Sequence, residues 1–208
     1  AHMPLSFAQQ RLWFLAQLEG QSLAYHVPMS MRLPGDIDRS ALRRALACIV
    51  ARHEVLRTSF ANMEGTPIQM ISDEVELKLE VVDLRALAAA AGEPAVLREA
   101  REEAARGFDL TTGPLIRVKL LQLGEQEQVL LVTMHHIVSD GWSLGVLVQE
   151  LGRSMRLTAV VNPHPYQRCP SSMQTSPCGN GPGWQRRRPS RQGRQTSSWR
   201  IGNSSWPV

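Results

Sequence analysis

All 19 acidic side chains of this 208-residue chain lie before residue 157, and this break divides the sequence into two parts of different character. Residues 1–156 carry 16 of the 23 basic side chains and a net charge of −3. Residues 157–208 carry seven Arg, no Lys and no acid. The overall net charge of +4 therefore describes the second part and does not indicate that the folded part binds nucleic acid.

The second part, residues 157–208, shows no sustained period of 2 or 3.6 residues. One interpretation is disorder, because the segment buries too little apolar surface to offset its ordering entropy. Another is an RNA-binding tail, since Trp184, Trp199 and Trp206 lie among arginines. The mixture of Arg, Pro, Ser, Gly, Cys and Trp without acid favours a third, a GC-rich gene read out of frame after a frameshift near codon 157. Resequencing the gene tests this hypothesis.

No targeting segment, membrane span or metal site is indicated. No apolar run approaches the roughly 20 residues that a membrane helix needs, so we expect a cytoplasmic protein. Cys48, Cys169 and Cys178 are too few and too scattered for a disulfide framework or a zinc site. Residues 1–3, "AHM", resemble the remnant of a cleaved tag, so structure is expected to begin at Pro4.

Two helices are indicated in the first fifty residues. Ser6 and Gln9 have the capping-box spacing before a helix that should end at Gly20. On one side of that helix fall Phe7, Arg11, Phe14, Leu15 and Leu18. Asp38 can cap a second helix, whose apolar residues recur at helical spacing: Leu42, Ala45, Leu46, Ile49 and Val50.

Strand patterns occupy much of the remainder. They cover residues 26–33, 56–62, 67–72, 77–82, 115–123 and 129–135. The last of these is apolar through its first six residues, as is typical of a strand covered on both faces. Further helices are expected over residues 94–106 and from 144 to about 155. The order predicts an α/β fold, a two-layer sandwich of a mixed sheet covered by helices.

The segment "TMHHIVSDGWS", residues 133–143, carries the residues best suited to chemistry. Because side chains alternate along a strand, His135 and His136 should point to opposite faces, which argues against a two-histidine metal site. The pattern favours one histidine facing an open cavity and one buried in support. Asp140 either orients the loop or caps the following helix, and Gly141 permits a sharp turn. The alternative is that both histidines are half-buried side chains without a chemical role.

The string "HHIVSDG" resembles the active-site pattern of the condensation domains of nonribosomal peptide synthetases. Two further motifs of that family stand upstream in the same order, "SFAQQRLWFL" at residues 6–15 and "RHEVLRTSF" at residues 52–60. "YHVP" at residues 25–28 and "FDLTTGPLIR" at residues 108–117 are also similar to the family. The resemblance extends over residues 4–156.

The resemblance implies a fold like chloramphenicol acetyltransferase, in which two α/β lobes face each other across a tunnel. Residues 4–156 would form the N-terminal lobe, and the C-terminal lobe would be its partner. The implied reaction is amide-bond formation between an acyl or peptidyl thioester and an aminoacyl group. Donor and acceptor carrier proteins would deliver both on phosphopantetheine arms, so the domain itself would bind no cofactor. Neither a nucleic acid nor a membrane would be a partner.

The resemblance also implies roles for individual residues. His136 would be the central catalytic residue, accepting a proton from the attacking amine or positioning it. The backbone N–H of Gly141 would lie near the reacting carbonyl, and His135 would support the site. Asp140 would form a structural ion pair with Arg57, with Arg52 as the second candidate partner.

Two residues beside the motif have structural roles by expectation, and two other functions remain as alternatives to condensation. We expect Ser143 to start the helix and Trp142 to pack against the fold. An epimerization domain has a similar string and would transfer a proton at an α-carbon, although the motif at residues 6–15 favours condensation. A non-catalytic lobe that only docks a carrier protein is another alternative. A heterocyclization domain is excluded, since that family has aspartate in place of the histidines.

Overall fold

The computed structural model of the chain describes residues 2–20 and 22–160, and it follows the predicted order of elements with one strand added at the front. Four helices, α1 to α4, span Phe7–Glu19, Arg39–Arg52, Arg85–Ala104 and Gly141–Val160. Seven strands, β1 to β7, span His2–Pro4, His26–Pro34, Thr58–Met63, Thr66–Ile71, Leu79–Asp83, Ile116–Gln122 and Glu127–His135. Within the described residues, none of the helices is both long enough and apolar enough to cross a membrane.

The strands form two sheets. The larger has the order β2-β7-β6-β5, with β5 parallel to β6 and the other neighbours antiparallel, so it is mixed, as predicted. The smaller has the order β1-β4-β3 and is antiparallel. Because β1 includes His2 and Met3, the expectation that the fold begins at Pro4 is wrong: both residues pair with β4.

Strand β7 is covered on both faces, as its apolar run predicts. Alternate residues on one face, among them Leu130 and Val132, pack with β6 against α2 and α4. The residues between them, Val129 and Leu131, pack against α3 on the other face. The α/β class with a mixed sheet covered by helices is therefore confirmed, and α3 adds a layer to the two that were predicted.

The first two helices differ in how well their buried sides were predicted. All five apolar residues expected on one face of α2 are buried, and Asp38 caps that helix through the N–H groups of Ser40 and Ala41. Helix α1 has the predicted capping box, but it turns its other side inward. Trp13 is buried, whereas Phe7 is 91% exposed and Phe14 is 61% exposed.

The last two helices are longer than predicted. Helix α3 begins at Arg85 and contains Pro94, the residue at which a start was expected because proline favours the first helical turn. Helix α4 continues to Val160, past the expected end near residue 155 and into the segment assigned to a non-native or disordered tail. The rest of that tail lies outside the described residues.

A cluster of charges is buried where α3 meets β6. Glu103 is 2% exposed, and its carboxylate lies 2.5 Å from Arg117 Nε and 3.0 Å from the Arg106 guanidinium. Lys119, also buried, places its ammonium 3.4 Å from Glu99 and 3.8 Å from Glu103. Each charge in this cluster is compensated by a partner of opposite sign, which is the condition for burying an ionised group at tolerable cost.

Replacement of Glu103 by alanine should destabilise the fold strongly. It leaves the half-buried Arg117 without its carboxylate partner, whereas Lys119 keeps Glu80 and Glu99, and breaking such a buried pair typically costs about 3–5 kcal/mol. The measurement is the free energy of unfolding in urea, with Glu102→Ala as the matched control. Glu102 is 60% exposed and lies 3.7 Å from Arg98, so its loss should have little effect. Equal midpoints for the two variants would contradict the role assigned to the cluster.

Candidate active site

The two adjacent histidines lie where β7 leaves the larger sheet. His135 is the last residue of the strand, opposite His26 in β2, and its N–H donates to Leu115 O at 3.0 Å. The N–H of His136 donates to Tyr25 O at 2.8 Å, so one more residue is held against the segment that precedes β2. The backbone positions of both histidines are therefore fixed by the segments that lead into β6 and β2.

His135 is buried on the α3 side of the sheet, 4% exposed. Its ring lies among Tyr25, His26 and Phe108, with ring centroids 6.1 to 6.3 Å away. The N–H of Ile137 donates to its Nδ1 at 3.1 Å, so the neutral ring carries its proton on Nε2. Burial, assisted by the nearby charges that His26 and His136 can carry, lowers the pKa of His135 to about 4.

His136, the first residue after β7, is exposed, in contrast to the buried His135. Its Nδ1 lies 2.6 Å from the carbonyl oxygen of Ser139. A carbonyl only accepts, so Nδ1 carries the proton and Nε2 of the neutral ring is left with a lone pair. The two neighbouring histidines thus have opposite tautomers, and His136 is the one that can accept a proton from a molecule in solution.

The residues behind His135 form a rigid support. The guanidinium of Arg117 lies 3.8 Å from the centre of the Phe108 ring and donates to the carbonyl oxygens of Arg106 and Gly107. His26 Nδ1 donates to Ala104 O at 2.8 Å, and burial lowers the pKa of His26. Through these contacts the end of α3 is joined to the start of β2 and to β6, beside His135.

Asp140 caps α4, the simpler of the two roles considered for it. Its carboxylate accepts the N–H of Ser143 at 2.7 Å, and its own N–H donates to Ser143 Oγ at 2.8 Å. These hydrogen bonds, led by the one from the Ser143 backbone, lower the pKa of Asp140. Ser143 is therefore a residue of the helix start, as expected.

The predicted ion pair between Asp140 and Arg57 is wrong within the described part of the chain. Arg57 donates instead to backbone carbonyls, those of Val50 and Ala51 at the end of α2 and those of Ser72 and Asp73 after β4. The second candidate, Arg52, lies 3.1 Å from Glu150. Because α4 begins directly after Asp140, the short carboxylate is used by the exposed backbone donors of its own helix.

The two residues that follow Asp140 are open to solvent. A Cβ on Gly141 would meet no heavy atom within 4 Å, so there is free space beside the first residue of α4. Trp142 is 83% exposed, and the expectation that it packs against the fold is wrong. Among residues 2–20 and 22–160, no group of three His, Cys, Asp or Glu side chains is placed to hold a metal ion.

Two contributors to the site were not predicted. Ser139 supplies the carbonyl that accepts from His136, and its own hydroxyl donates to His135 O at 3.0 Å. His26 packs edge-on against Phe108 at 5.1 Å and lies beside His135. The sequence carries a signal for His26, because "YHVP" and "FDLTTGPLIR" are motifs to which no role in the site was assigned.

Comparison with known proteins points to one family. Residues 1–157 match the family model of the condensation domain. A component of linear gramicidin synthase from Brevibacillus parabrevis is 47% identical over 150 residues, which are 72% of this chain and 3% of that protein. Phosphinothricin tripeptide synthetase PhsC of Streptomyces viridochromogenes is 46% identical over 149 residues, which are 72% of this chain and 14% of that protein.

Solved structures give the same picture of the fold. The starter condensation domain of rhizomide synthetase superposes with a TM-score of 0.72 at 24% identity, over 80% of this chain and 40% of that one. The first condensation domain of the CDA synthetase superposes with a TM-score of 0.70 at 25% identity, over 76% of this chain and 41% of that one. The chain thus spans about two fifths of these solved structures and a small part of the similar synthetases.

His135 should make the stability of the fold depend on pH. An unfolded histidine titrates near 6.5, whereas His135 in the fold titrates near 4, so only the unfolded state gains a proton as the pH falls through this range. We expect the free energy of unfolding to decrease by about 1–2 kcal/mol from this residue between pH 7 and pH 5. Urea titrations at several pH values measure it.

The variant His135→Asn separates titration from structure. An asparagine side-chain oxygen can still accept the N–H of Ile137 two residues on, as in an Asx turn, but it does not titrate. The variant should show a flatter dependence of stability on pH, with a remainder from His26, whose pKa is also lowered. A dependence as steep as that of the parent chain would count against His135 as its source.

Asp140→Ala should destabilise the chain less than Glu103→Ala. It removes an exposed helix cap rather than a member of a buried ionic cluster, and Asp140→Ser should restore most of the loss because serine also caps helices. Thermal unfolding of the three variants provides the comparison. A loss as large as that of Glu103→Ala would show that Asp140 has a partner beyond its helix.

Proposed function

Since this chain belongs to the condensation-domain family, we propose that, with the second lobe of such a domain, it catalyses amide-bond formation between two carrier-bound substrates. The acyl or peptidyl group is a thioester, and the acceptor is an aminoacyl group with a free amine. The amine nitrogen forms a bond to the thioester carbon, the C–S bond breaks, and the thiol leaves. The amine proton lost in this step balances the proton that the thiolate gains.

The observation that supports the proposal is that His136 is exposed and has a free lone pair on Nε2. Its ring is exposed, and the hydrogen bond from Nδ1 to Ser139 O leaves Nε2 as an acceptor. In this role Nε2 takes the proton of the attacking amine and returns one to the departing sulfur. A thioester is already activated, so the site needs no nucleophile of its own, and a base that also orients the amine is sufficient.

The start of α4 is suited to the charge that develops on the carbonyl oxygen. Gly141 is the first residue of the helix and has open space on its side-chain side. The N–H groups of a first helical turn point away from the helix and carry partial positive charge. We assign the N–H of Gly141 to stabilise the oxyanion of the tetrahedral intermediate, and the absence of a side chain lets the reacting group approach.

The partners follow from the substrates. One solved relative, the starter condensation domain of rhizomide synthetase, has been captured with C8-CoA and Leu-SNAC. Coenzyme A ends in the same pantetheine arm that carrier proteins bear. This supports donor and acceptor carrier proteins as the partners of this chain, with the arms rather than a bound cofactor bringing the reacting groups to His136.

Replacement of His136 by alanine in a protein containing both lobes should lower the condensation rate. Loss of a general base typically costs 10²–10⁴-fold. The assay uses donor and acceptor carrier proteins loaded with their substrates and follows the amide product by mass spectrometry. His53→Ala is the matched control, because His53 lies at the end of α2, 3.0 Å from Glu150, and should leave the rate unchanged. A His136→Ala variant with the parent rate would refute the assignment.

A further inference from the structure

The turn that carries His136 contains a buried hydroxyl that the proposed reaction does not use. Ser139 is 7% exposed, and its Oγ donates to His135 O at 3.0 Å. The same residue accepts the Nδ1 proton of His136 through its carbonyl oxygen at 2.6 Å. Ser139 is therefore bonded to both histidines, to one through its side chain and to the other through its backbone.

The hydrogen bond donated by the Ser139 hydroxyl is shorter than the one donated by the backbone N–H of the same residue. Its backbone N–H lies 3.4 Å from His136 O, near the limit of a hydrogen bond. The 3.0 Å bond from Oγ is buried and anchors the residue to the end of β7, whose own position is fixed by the sheet. The orientation of the Ser139 carbonyl thus depends on its side chain, together with Ser143 Oγ, which accepts the Asp140 N–H of the same planar peptide unit at 2.8 Å.

We propose that Ser139 is a positioning residue, and that its hydroxyl sets the tautomer and orientation of His136 by holding the Ser139 carbonyl against Nδ1. The consequence for catalysis rests on the function proposed above, because a base acting through Nε2 requires the proton to be on Nδ1. Neutral imidazole otherwise favours the tautomer with its proton on Nε2. If the Ser139 carbonyl moves out of reach of Nδ1, the proton shifts to Nε2. Nε2 then lacks the lone pair that the reaction needs.

The test reads the two ring nitrogens directly. The 208-residue chain is labelled with ¹⁵N-histidine, and long-range ¹H–¹⁵N correlation spectra assign the protonated nitrogen of each ring at neutral pH. We expect His136 to carry its proton on Nδ1 and His135 on Nε2. In Ser139→Ala the ratio of the His136 tautomers should move toward the Nε2–H form by roughly two- to tenfold, the weight of one ordinary hydrogen bond.

Two further variants give the controls. Thr58→Val removes another buried hydroxyl that donates to a backbone carbonyl, that of Glu54 at 2.8 Å, outside this turn, and should leave His136 unchanged. Ser139→Thr keeps a hydroxyl on the same carbon and should restore the parent tautomer. The tautomer of His135 serves as an internal reference in every sample, because its Nδ1 accepts from Ile137 whether or not Ser139 has a hydroxyl.

Three results would overturn the proposal. One is a parent chain in which His136 carries its proton on Nε2. Another is a Ser139→Ala variant that keeps the Nδ1–H tautomer while His135 is unchanged. If the His135 ring of Ser139→Ala no longer carries its proton on Nε2, the variant Ser139→Cys is used in its place, since a thiol is close in size and a weak donor. The third result that would overturn the proposal is a Ser139→Cys variant in which His136 keeps the parent tautomer.

Activity distinguishes this inference from the function on which it rests. In a protein with both lobes, Ser139→Ala should lower kcat with little change in KM, and raising the pH should not restore the rate. If His136→Ala leaves condensation intact but Ser139→Ala still shifts the tautomer, the proposed function fails and the positioning role of Ser139 stands. If His136→Ala abolishes the reaction and Ser139→Ala leaves the tautomer unchanged, the proposed function stands and the positioning role of Ser139 fails.

Discussion

The burial of β7 on both faces determines how the rest of the molecule is arranged. A strand in that position requires a hydrogen-bonded neighbour along each edge and a helix layer over each face, and β2, β6, α2, α3 and α4 supply these. Its last residue, His135, is still inside the protein, so its ring is neutral, and Nδ1 of that ring accepts the N–H of Ile137. The next residue is the first that reaches solvent. The position of His136 is thus a direct result of where this buried strand ends.

Helix α1 and the smaller sheet contact the loop of residues 136–140, which joins β7 to α4, from another side. Gln9 completes the capping box of α1 and also donates to Gln69 Oε1 in β4 and, at 3.5 Å, to Ile137 O. Trp13 and Phe60 pack in one apolar cluster with Ile137. The loop is therefore held by the large sheet at its start, by α1 and the small sheet in its middle, and by the cap of α4 at its end.

Much of this architecture was predictable, because it depends on periodic patterns. The buried face of α2 follows from five apolar residues at helical spacing, and the burial of β7 follows from an uninterrupted apolar run. The inward side of α1 was not predictable, since apolar residues occur all round that helix and only packing decides between them. The early start of α3 was missed because Pro94 resembles a helix start and here lies within the helix.

At the candidate site, the burial of one histidine and the exposure of the other were predicted, whereas the contacts were not. Alternation along a strand already predicts that two adjacent histidine rings point to opposite faces. The predicted partner of Asp140, an arginine, was wrong because the N-terminus of the adjacent helix competes for the carboxylate. Residue spacing in the sequence does not reveal that competition. The tautomer of His136 depends on a backbone carbonyl, and every residue has one, so no side-chain pattern could indicate it.

The hydrogen-bond partner of His136 Nδ1 is a neutral carbonyl rather than a carboxylate. In the serine protease triad an aspartate stands behind the histidine and stabilises the imidazolium. Behind His136 stands a neutral carbonyl, whose dipole favours a positively charged ring much less than a full negative charge would. In the reaction proposed above, the ring would pass the amine proton on to the departing sulfur and then be neutral again, with Nδ1 still bonded to Ser139 O.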